Sequence, residues 1–247
     1  MRLILVVDDN DINRQVAGGL LRSLGMEVEC ASNGEEALLK MAARRFDLVL
    51  MDMQMPVLDG LEATRAARAR GDRTPIVGLT ANAFQSDRAT CLAAGMTDHV
   101  AKPVTRQKLA QLVAAHSAPP GAVETTAADD GIDAAQQLSL RDELGSELFD
   151  GLVAGFVPDA ARLLAEARIA AASGDFARYD RALHTLKGAA LTLGYSAIGN
   201  LADELRTASA DFDVGLDRLE TDLKRRFGNA GVVTSERHDE AERRLAS

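Results

Sequence analysis

The sequence predicts a parallel α/β sheet domain followed by a separate all-helical domain. Three observations predict it. Up to Ser117, short aliphatic runs alternate with helical patterns at close intervals, which is how a doubly wound parallel sheet with helices on both faces reads. From 118 to 131 a stretch rich in Pro, Gly and small polar residues has no apolar period and reads as a flexible linker. Beyond it only the helical period survives, in segments of the right length for an antiparallel four-helix bundle with short turns.

Taken in order, Leu3 to Val7 is a continuous aliphatic run, as a strand buried on both faces requires. It stops at Asp8-Asp9-Asn10-Asp11, where Asp11 or Asn10 can cap a helix running to about Leu24 and closed by Gly25. Glu27–Ala31 is a short second strand, and Asn33 caps a helix to about Arg44. Leu48 to Met51 is a third strand ending in Asp52; Pro56 and Gly60 shape the loop that follows, and Gly60 to about Arg70 is helical. Pro75 to Leu79 is a strand ending in Thr80, followed by a helix from about Gln85 to Ala94, stopped by Gly95. Asp98–Ala101 is the fifth strand, before Lys102-Pro103, and a last helix covers about Thr105 to Ala115. In the second half, helices are predicted near 133–143, 147–172, 175–193, 196–209 and 213–227, with Gly174, Gly194 and Gly228 marking ends. Residues 229–247 form a charged tail.

The chain has 247 residues and a net charge of −9, unevenly spread: up to Ser117 acidic and basic residues balance at 14 each, so all the excess acid lies beyond. That balance argues against nucleic acid as the main partner. Cys30 and Cys91 have no framework or metal-like spacing, which points to a reducing cytoplasm. The first aliphatic run is too short to span a membrane and lacks the layout of a signal peptide. Met1 abuts the first strand, as at a natural start.

In doubly wound sheets function gathers at the carboxyl ends of the strands. Here those ends carry Asp8, Asp9, Asp52, Thr80 and Lys102. Two adjacent acids on one strand and a third on its neighbour can hold a hard divalent ion, and Mg²⁺ suits a site of few carboxylates because it keeps several waters. One of the carboxylates could attack a phosphoryl group to form an acyl phosphate. An ammonium and a hydroxyl would then serve the phosphoryl oxygens. Singly, each residue is also an ordinary helix cap, turn residue or solvated charge; the case lies in five of them at the correct ends of successive strands.

In the helical half, Phe176, Tyr179, Leu183, Leu186, Ala190 and Leu193 form one apolar stripe. The same periodicity turns His184 roughly 130° from the stripe's centre, so an exposed imidazole is predicted, on a face shared with Arg181 and Gly188. Lys187 offers a positive charge to a phosphoryl oxygen, and Gly188 leaves room for an approaching surface. Alone, His184 is equally an ordinary surface histidine.

The first half closely resembles the response-regulator receiver domain. The resemblance is carried by Val-Val-Asp8-Asp9-Asn10, Met-Asp52-Met-Gln-Met-Pro56-Val-Leu-Asp-Gly60, Leu-Thr80-Ala and Asp-His99-Val-Ala-Lys102-Pro103, and it covers about 1–117. It implies a flavodoxin-like sheet of order 2-1-3-4-5, with Asp52 as phosphoacceptor. It also implies Mg²⁺ bound by Asp8, Asp9, Asp52 and the backbone carbonyl of Gln54, phosphate contacts from Thr80 and Lys102, and a cis bond before Pro103. One departure is His99, where the family's switch residue is usually Tyr or Phe; it either fills the aromatic slot or senses pH. The second half resembles the histidine-containing phosphotransfer (HPt) domain through His184-Thr-Leu-Lys187-Gly188-Ala-Ala-Leu-Thr-Leu-Gly194 and Ile198-Gly-Asn-Leu-Ala-Asp-Glu-Leu, over about 132–228. It implies that His184 is phosphorylated and that Lys187 positions the phosphate. Thr192 stands where that family often has Asn.

No Asp-x-Gly-x-Gly signature of an ATP-binding kinase domain occurs, and no length remains for a DNA-binding output domain. The expected function is therefore a phosphorelay intermediate rather than an ATP-dependent kinase, with a sensor histidine kinase and downstream receiver proteins as partners. Asp52 would take a phosphoryl group from a partner's phosphohistidine, and His184 would carry phosphoryl to or from receiver aspartates. The alternative is a signalling adaptor in which phosphorylated Asp52 reshapes the receiver and the helical half binds a partner without phosphotransfer. A third reading is a phosphate sink in which Asp52 drains His184.

Overall fold

The first region of the chain, seen in a computed structural model that describes residues 2–80, 85–116, 133–207 and 212–228, is built on a five-stranded sheet. The predicted 118–131 linker and 229–247 tail lie outside the described residues. Strands β1 (Leu3–Val7), β2 (Glu27–Ala31), β3 (Leu48–Asp52), β4 (Ile76–Thr80) and β5 (Asp98–Ala101) stand in the order β2-β1-β3-β4-β5, with every neighbouring pair parallel. Helices α1 (Asp11–Ser23), α2 (Gly34–Ala43), α3 (Gly60–Ala69) and α4 (Gln85–Ala94) connect successive strands, and α5 (Arg106–Ala115) follows β5. The order reverses direction on either side of β1 and β3, and the crevice at such a switch point lies above the carboxyl ends of those two strands.

The three central strands β1, β3 and β4 are buried along their whole length, whereas edge strand β2 is buried only at Ala31. Alternation sends Leu3, Leu5, Val7, Val49, Met51 and Ile76 to one face of the sheet, where they pack with Ala37, Leu38 and Met41 of α2 and Ala63 and Ala67 of α3. Their neighbours Ile4, Val6, Leu50 and Val77 point to the other face and are equally buried. Each buried Leu or Ile contributes about 1.5–3 kcal/mol relative to exposure, so these aliphatic runs supply most of the drive to form the sheet.

The helix starts are set by side-chain caps. Asn10, rather than Asp11, caps α1, its side chain accepting from the N–H groups of Ile12 and Asn13. Asn33 accepts from Glu36 N–H, and the Glu36 carboxylate accepts from Ser32 N–H. Asp59 caps α3 through Glu62 N–H. Replacing Asn33 by Ala leaves the first turn of α2 without its acceptor, and the denaturation midpoint should fall by the equivalent of about 1 kcal/mol.

The C-terminal region is all-α. Among the described residues it has five helices: α6 (Asp133–Leu144), α7 (Ser146–Ser173), α8 (Phe176–Thr192), α9 (Ser196–Thr207) and α10 (Phe212–Phe227). They match the predicted segments, and Gly174 and Gly194 close α7 and α8 at φ values of 72° and 78°, where an L side chain would be strained. An aromatic cluster ties α7, the α8–α9 turn and α10: Phe156 stacks on Tyr195 at 5.7 Å between ring centroids, and Phe227 meets both edge-on. Arg168 on α7 bonds Asp217 and Glu220 of α10 at 2.6 and 2.7 Å. The predicted stripe of α8 is buried from Tyr179 to Leu193, but Phe176 is not: it keeps 59% of its surface. It is the first residue of the helix, at the end of the apolar stripe, and its ring lies 5.9 Å from that of Phe212 between centroids. By contact density the chain divides into two compact units, residues 1–149 with 191–194, and residues 150–190 with 195–247.

Candidate functional site

Because β1 and β3 are adjacent and parallel, their carboxyl ends bring Asp8, Asp9 and Asp52 together. One ligand oxygen from each lies within 4.8 Å of the others. Asp8 and Asp52 are almost fully buried. The cluster is geometrically suited to a metal ion: three hard carboxylate donors at the carboxyl ends of adjacent strands, in a place where three like charges need a cation.

Lys102 supplies one cation. It follows β5, and the Lys102 N–H donates to the Thr80 carbonyl at 2.8 Å, which fixes the lysine backbone beside the end of β4. Its Nζ lies 2.8 Å from Asp8 Oδ2 and 2.8 Å from Asp52 Oδ2. The Lys102–Pro103 bond is cis, as the resemblance implied. Thr80, at the last position of β4, is buried and stands one register step beyond the Asp52–Leu79 pair. Gln54 sits on the exposed loop after β3, its N–H 3.5 Å from Asp52 Oδ1. His99 is buried, with Nδ1 3.7 Å from Asp98 Oδ1, and it occupies an interior slot on β5 opposite Gly78.

Burial pushes the Asp52 carboxyl up to about 7; the Lys102 ammonium opposes the rise, and Asp8 and Asp9 add to it. Burial also disfavours the Lys102 ammonium, but the Asp52 and Asp8 carboxylates outweigh that and hold its pKa above the ordinary lysine value. The Asp52 shift carries a stability signature. Between about pH 4 and pH 7 the folded metal-free chain holds a proton at Asp52 that the unfolded chain has released, so this residue's contribution falls as pH rises through that window. The stability difference between the wild-type chain and Asp52→Asn, read by urea unfolding in chelator at pH 4.5 and 7.5, should shift in favour of the variant at the higher pH by up to a few kcal/mol.

Sequence reasoning missed the residues that hold Asp8. Its carboxylate accepts from Asn10 N–H at 2.9 Å and from Asn13 Nδ2 at 3.0 and 3.2 Å, and its backbone carbonyl accepts from Arg14 at 2.6 Å. The signal was present: Asn13 lies one helical turn after the Asn10 cap, on the buried side of α1. The loop between Asp52 and α3 also holds Val57 at φ 72°, in a three-residue turn closed by Leu58 N–H to the Pro56 carbonyl at 2.9 Å. A β-branched residue there is strained, and nothing in its sequence context announces it.

In the helical region His184 is not the exposed imidazole that the stripe predicted; it keeps 7% of its surface. Periodicity identifies the core-facing side of a helix and is silent about cover on the other side, and from Ala182 to Gly194 only Thr185 and Leu191 of α8 and its stop are even half-exposed. Lys187, one turn on, is also buried and pairs with Asp203 of α9 at 2.8 Å. The sequence patterns gave no role to Asp203, which lies inside the motif from Ile198 to Leu205, or to Arg206, which bonds Asp180 of α8 at 2.7 and 3.3 Å.

The sheet order, the acidic crevice and its lysine define a class of protein that comparison with known proteins confirms. The family profile of the response regulator receiver domain matches residues 4–114, and that of the Hpt domain matches residues 151–227. A two-component response regulator of Oryza sativa subsp. japonica is 43% identical over 115 residues, 45% of this chain and 91% of that protein. The sensor histidine kinase RcsC of Salmonella typhi is 40% identical over 115 residues, 47% of this chain but only 12% of the kinase's length. A solved receiver domain, from the sensor histidine kinase PA1611 of Pseudomonas aeruginosa, is 46% identical over 45% of this chain and 93% of its own, with a TM-score of 0.43. The chain belongs to the response regulator receiver family. Its receiver domain is fused to an Hpt domain, the architecture of a hybrid phosphorelay, and no histidine-kinase catalytic domain is found in it.

Proposed function

We propose that the protein is a phosphorelay intermediate, in which Asp52 accepts a phosphoryl group from a partner's phosphohistidine and His184 carries phosphoryl to or from receiver aspartates. The observation that carries this reading is the convergence of Asp8, Asp9 and Asp52 within 4.8 Å, with the Lys102 ammonium 2.8 Å from both Asp8 and Asp52. In this reading residues 1–117 are the receiver, 118–131 a linker, 132–228 the phosphotransfer domain, with α7–α10 as its four-helix bundle, and 229–247 a tail. Sensor histidine kinases and downstream receivers are the partners, and the cytoplasm is the compartment. Among the described residues no helix is long and apolar enough to cross a membrane.

The chemistry follows from the residues. A carboxylate oxygen of Asp52 attacks phosphorus as the donor's N–P bond breaks, and the donor imidazole keeps the electron pair and takes a proton from solvent. Asp8, Asp9, Asp52 and the Gln54 carbonyl would hold Mg²⁺, which when bound draws negative charge from the transferring phosphoryl oxygens. Lys102 moves its hydrogen bond from the carboxylates to a phosphoryl oxygen, and the Thr80 hydroxyl serves another. In the second transfer a ring nitrogen of His184 forms the N–P bond as the acyl O–P bond breaks and Asp52 regains its carboxylate.

The test is throughput. With a phosphorylated kinase as donor and a separate receiver as final acceptor, His184→Gln should abolish label on the acceptor while leaving Asp52 labelled. Undiminished acceptor label would sink the relay reading and favour the adaptor.

A further inference from the structure

We propose that Asp203 is a positioning residue for the His184 site: it acts through Lys187 and sets how phosphoryl divides between His184 and a receiver aspartate. This rests on the reading of His184 as a phosphoacceptor.

Asp180, His184 and Lys187 follow one another along one side of α8 at helical spacing, one turn apart. The two residues flanking the imidazole are both tied to α9. Asp180 is held bidentately by Arg206, Nε to Oδ1 at 2.7 Å and Nη2 to Oδ2 at 3.3 Å. Lys187 is held by Asp203 Oδ1 at 2.8 Å, and that same oxygen lies 3.5 Å from Arg206 Nη1. The four groups form a chain of alternating sign, Asp180–Arg206–Asp203–Lys187, whose formal charges cancel. The side chain of Lys187 is 5% exposed, so little solvent screens it, while that of Asp203 is 37% exposed.

A phosphoryl group on His184 adds about two negative charges beside this balanced set. Lys187 is the buried cation one turn towards the C-terminus, and its charge is already engaged by Asp203. A phosphoryl oxygen therefore has to share or displace that carboxylate, and the carboxylate repels it as well. Both effects weaken the hold of the site on phosphoryl and keep the phosphohistidine ready to transfer. Removing the charge of Asp203 while keeping its shape frees Lys187 from that competing carboxylate, so the ammonium attracts the phosphoryl group more strongly.

The experiment uses the full chain, charged with acetyl phosphate and Mg²⁺ and freed of excess donor. The ratio of alkali-stable phosphohistidine to alkali-labile aspartyl phosphate is then followed to its plateau. Asp203→Asn should raise that ratio by about threefold to tenfold, the size expected for one partly screened charge contact. Asp203→Glu should restore the wild-type ratio, and in a Lys187→Met background Asp203→Asn should leave the ratio unchanged. A ratio unmoved by Asp203→Asn, or moved equally in the Lys187→Met background, overturns the assignment even if thermal stability falls, because a merely structural role lowers stability without acting through Lys187. Absence of phosphohistidine in the wild-type chain overturns the reading of His184 itself, a result distinct from an unchanged ratio.

Discussion

Asp52→Asn should abolish Mg²⁺-dependent formation of alkali-labile phosphate on the protein, a loss of all detectable label rather than a reduction. The amide keeps the shape of the side chain but has no carboxylate oxygen to form the acyl phosphate, and it removes one of three donors lying within 4.8 Å. The same variant should be more stable than the wild type at neutral pH in chelator. Asp52 is buried against Asp8, with like charge on both when it ionises, and the single Lys102 ammonium shared between them does not lower its pKa to the ordinary value. Loss of activity together with gain of stability is the signature of a residue kept for chemistry at a cost to the fold. Label assays with acetyl phosphate and paired urea melts check both halves, and a destabilised Asp52→Asn chain would contradict the electrostatic account.

Gly60→Ala should cost about 3 kcal/mol and reduce phosphorylation of Asp52 at least about tenfold. A methyl group added at Gly60 would lie 2.0 Å from the Asp52 carbonyl oxygen and 2.9 Å from both the Asp52 carbonyl carbon and Met51 Cγ. The nearest obstacle is backbone, so no rotamer change relieves it. Gly60 opens α3, and its N–H bonds the Met53 carbonyl at 3.1 Å, so the first turn of α3 has to lift off the end of β3 and move the phosphoacceptor with it. Gly71→Ala is the matched comparison. That glycine has φ 80° with nothing within 4 Å of an added Cβ, so it bears conformational strain alone, about 1 kcal/mol. Equal losses in the two variants, by denaturant titration, would count against the close approach of α3 to Asp52.

The sheet was legible because its three central strands, β1, β3 and β4, are short aliphatic runs buried along their whole length, and the carboxyl-end rule then placed Asp8, Asp52, Thr80 and Lys102 on one edge from the sequence alone. What lay beyond the sequence was pairing between elements. Asn13 holds Asp8 from a helix whose period shows it only as an interior polar residue. Asp203 reaches Lys187 from a neighbouring helix, a contact that depends on how α8 and α9 pack rather than on either period. The burial of His184 and the exposure of Phe176 fail for one reason: a stripe gives the direction of a helix's core side, not where cover begins or ends along it. Val57 was invisible because its strained backbone is imposed by the loop between Asp52 and Gly60 rather than by its own preference.

The central claim is that the two acceptors belong to one relay, and phosphoryl mapping tests it most directly. The protein is incubated with Mg²⁺ and acetyl phosphate, and alkali-stable label on His184 and alkali-labile label on Asp52 are assayed in the wild type, Asp52→Ala and His184→Gln. The account predicts label on both residues in the wild type, on Asp52 alone in His184→Gln, and on neither in Asp52→Ala. Label on Asp52 with none on His184 in the wild type, or label on His184 that survives Asp52→Ala, would contradict it.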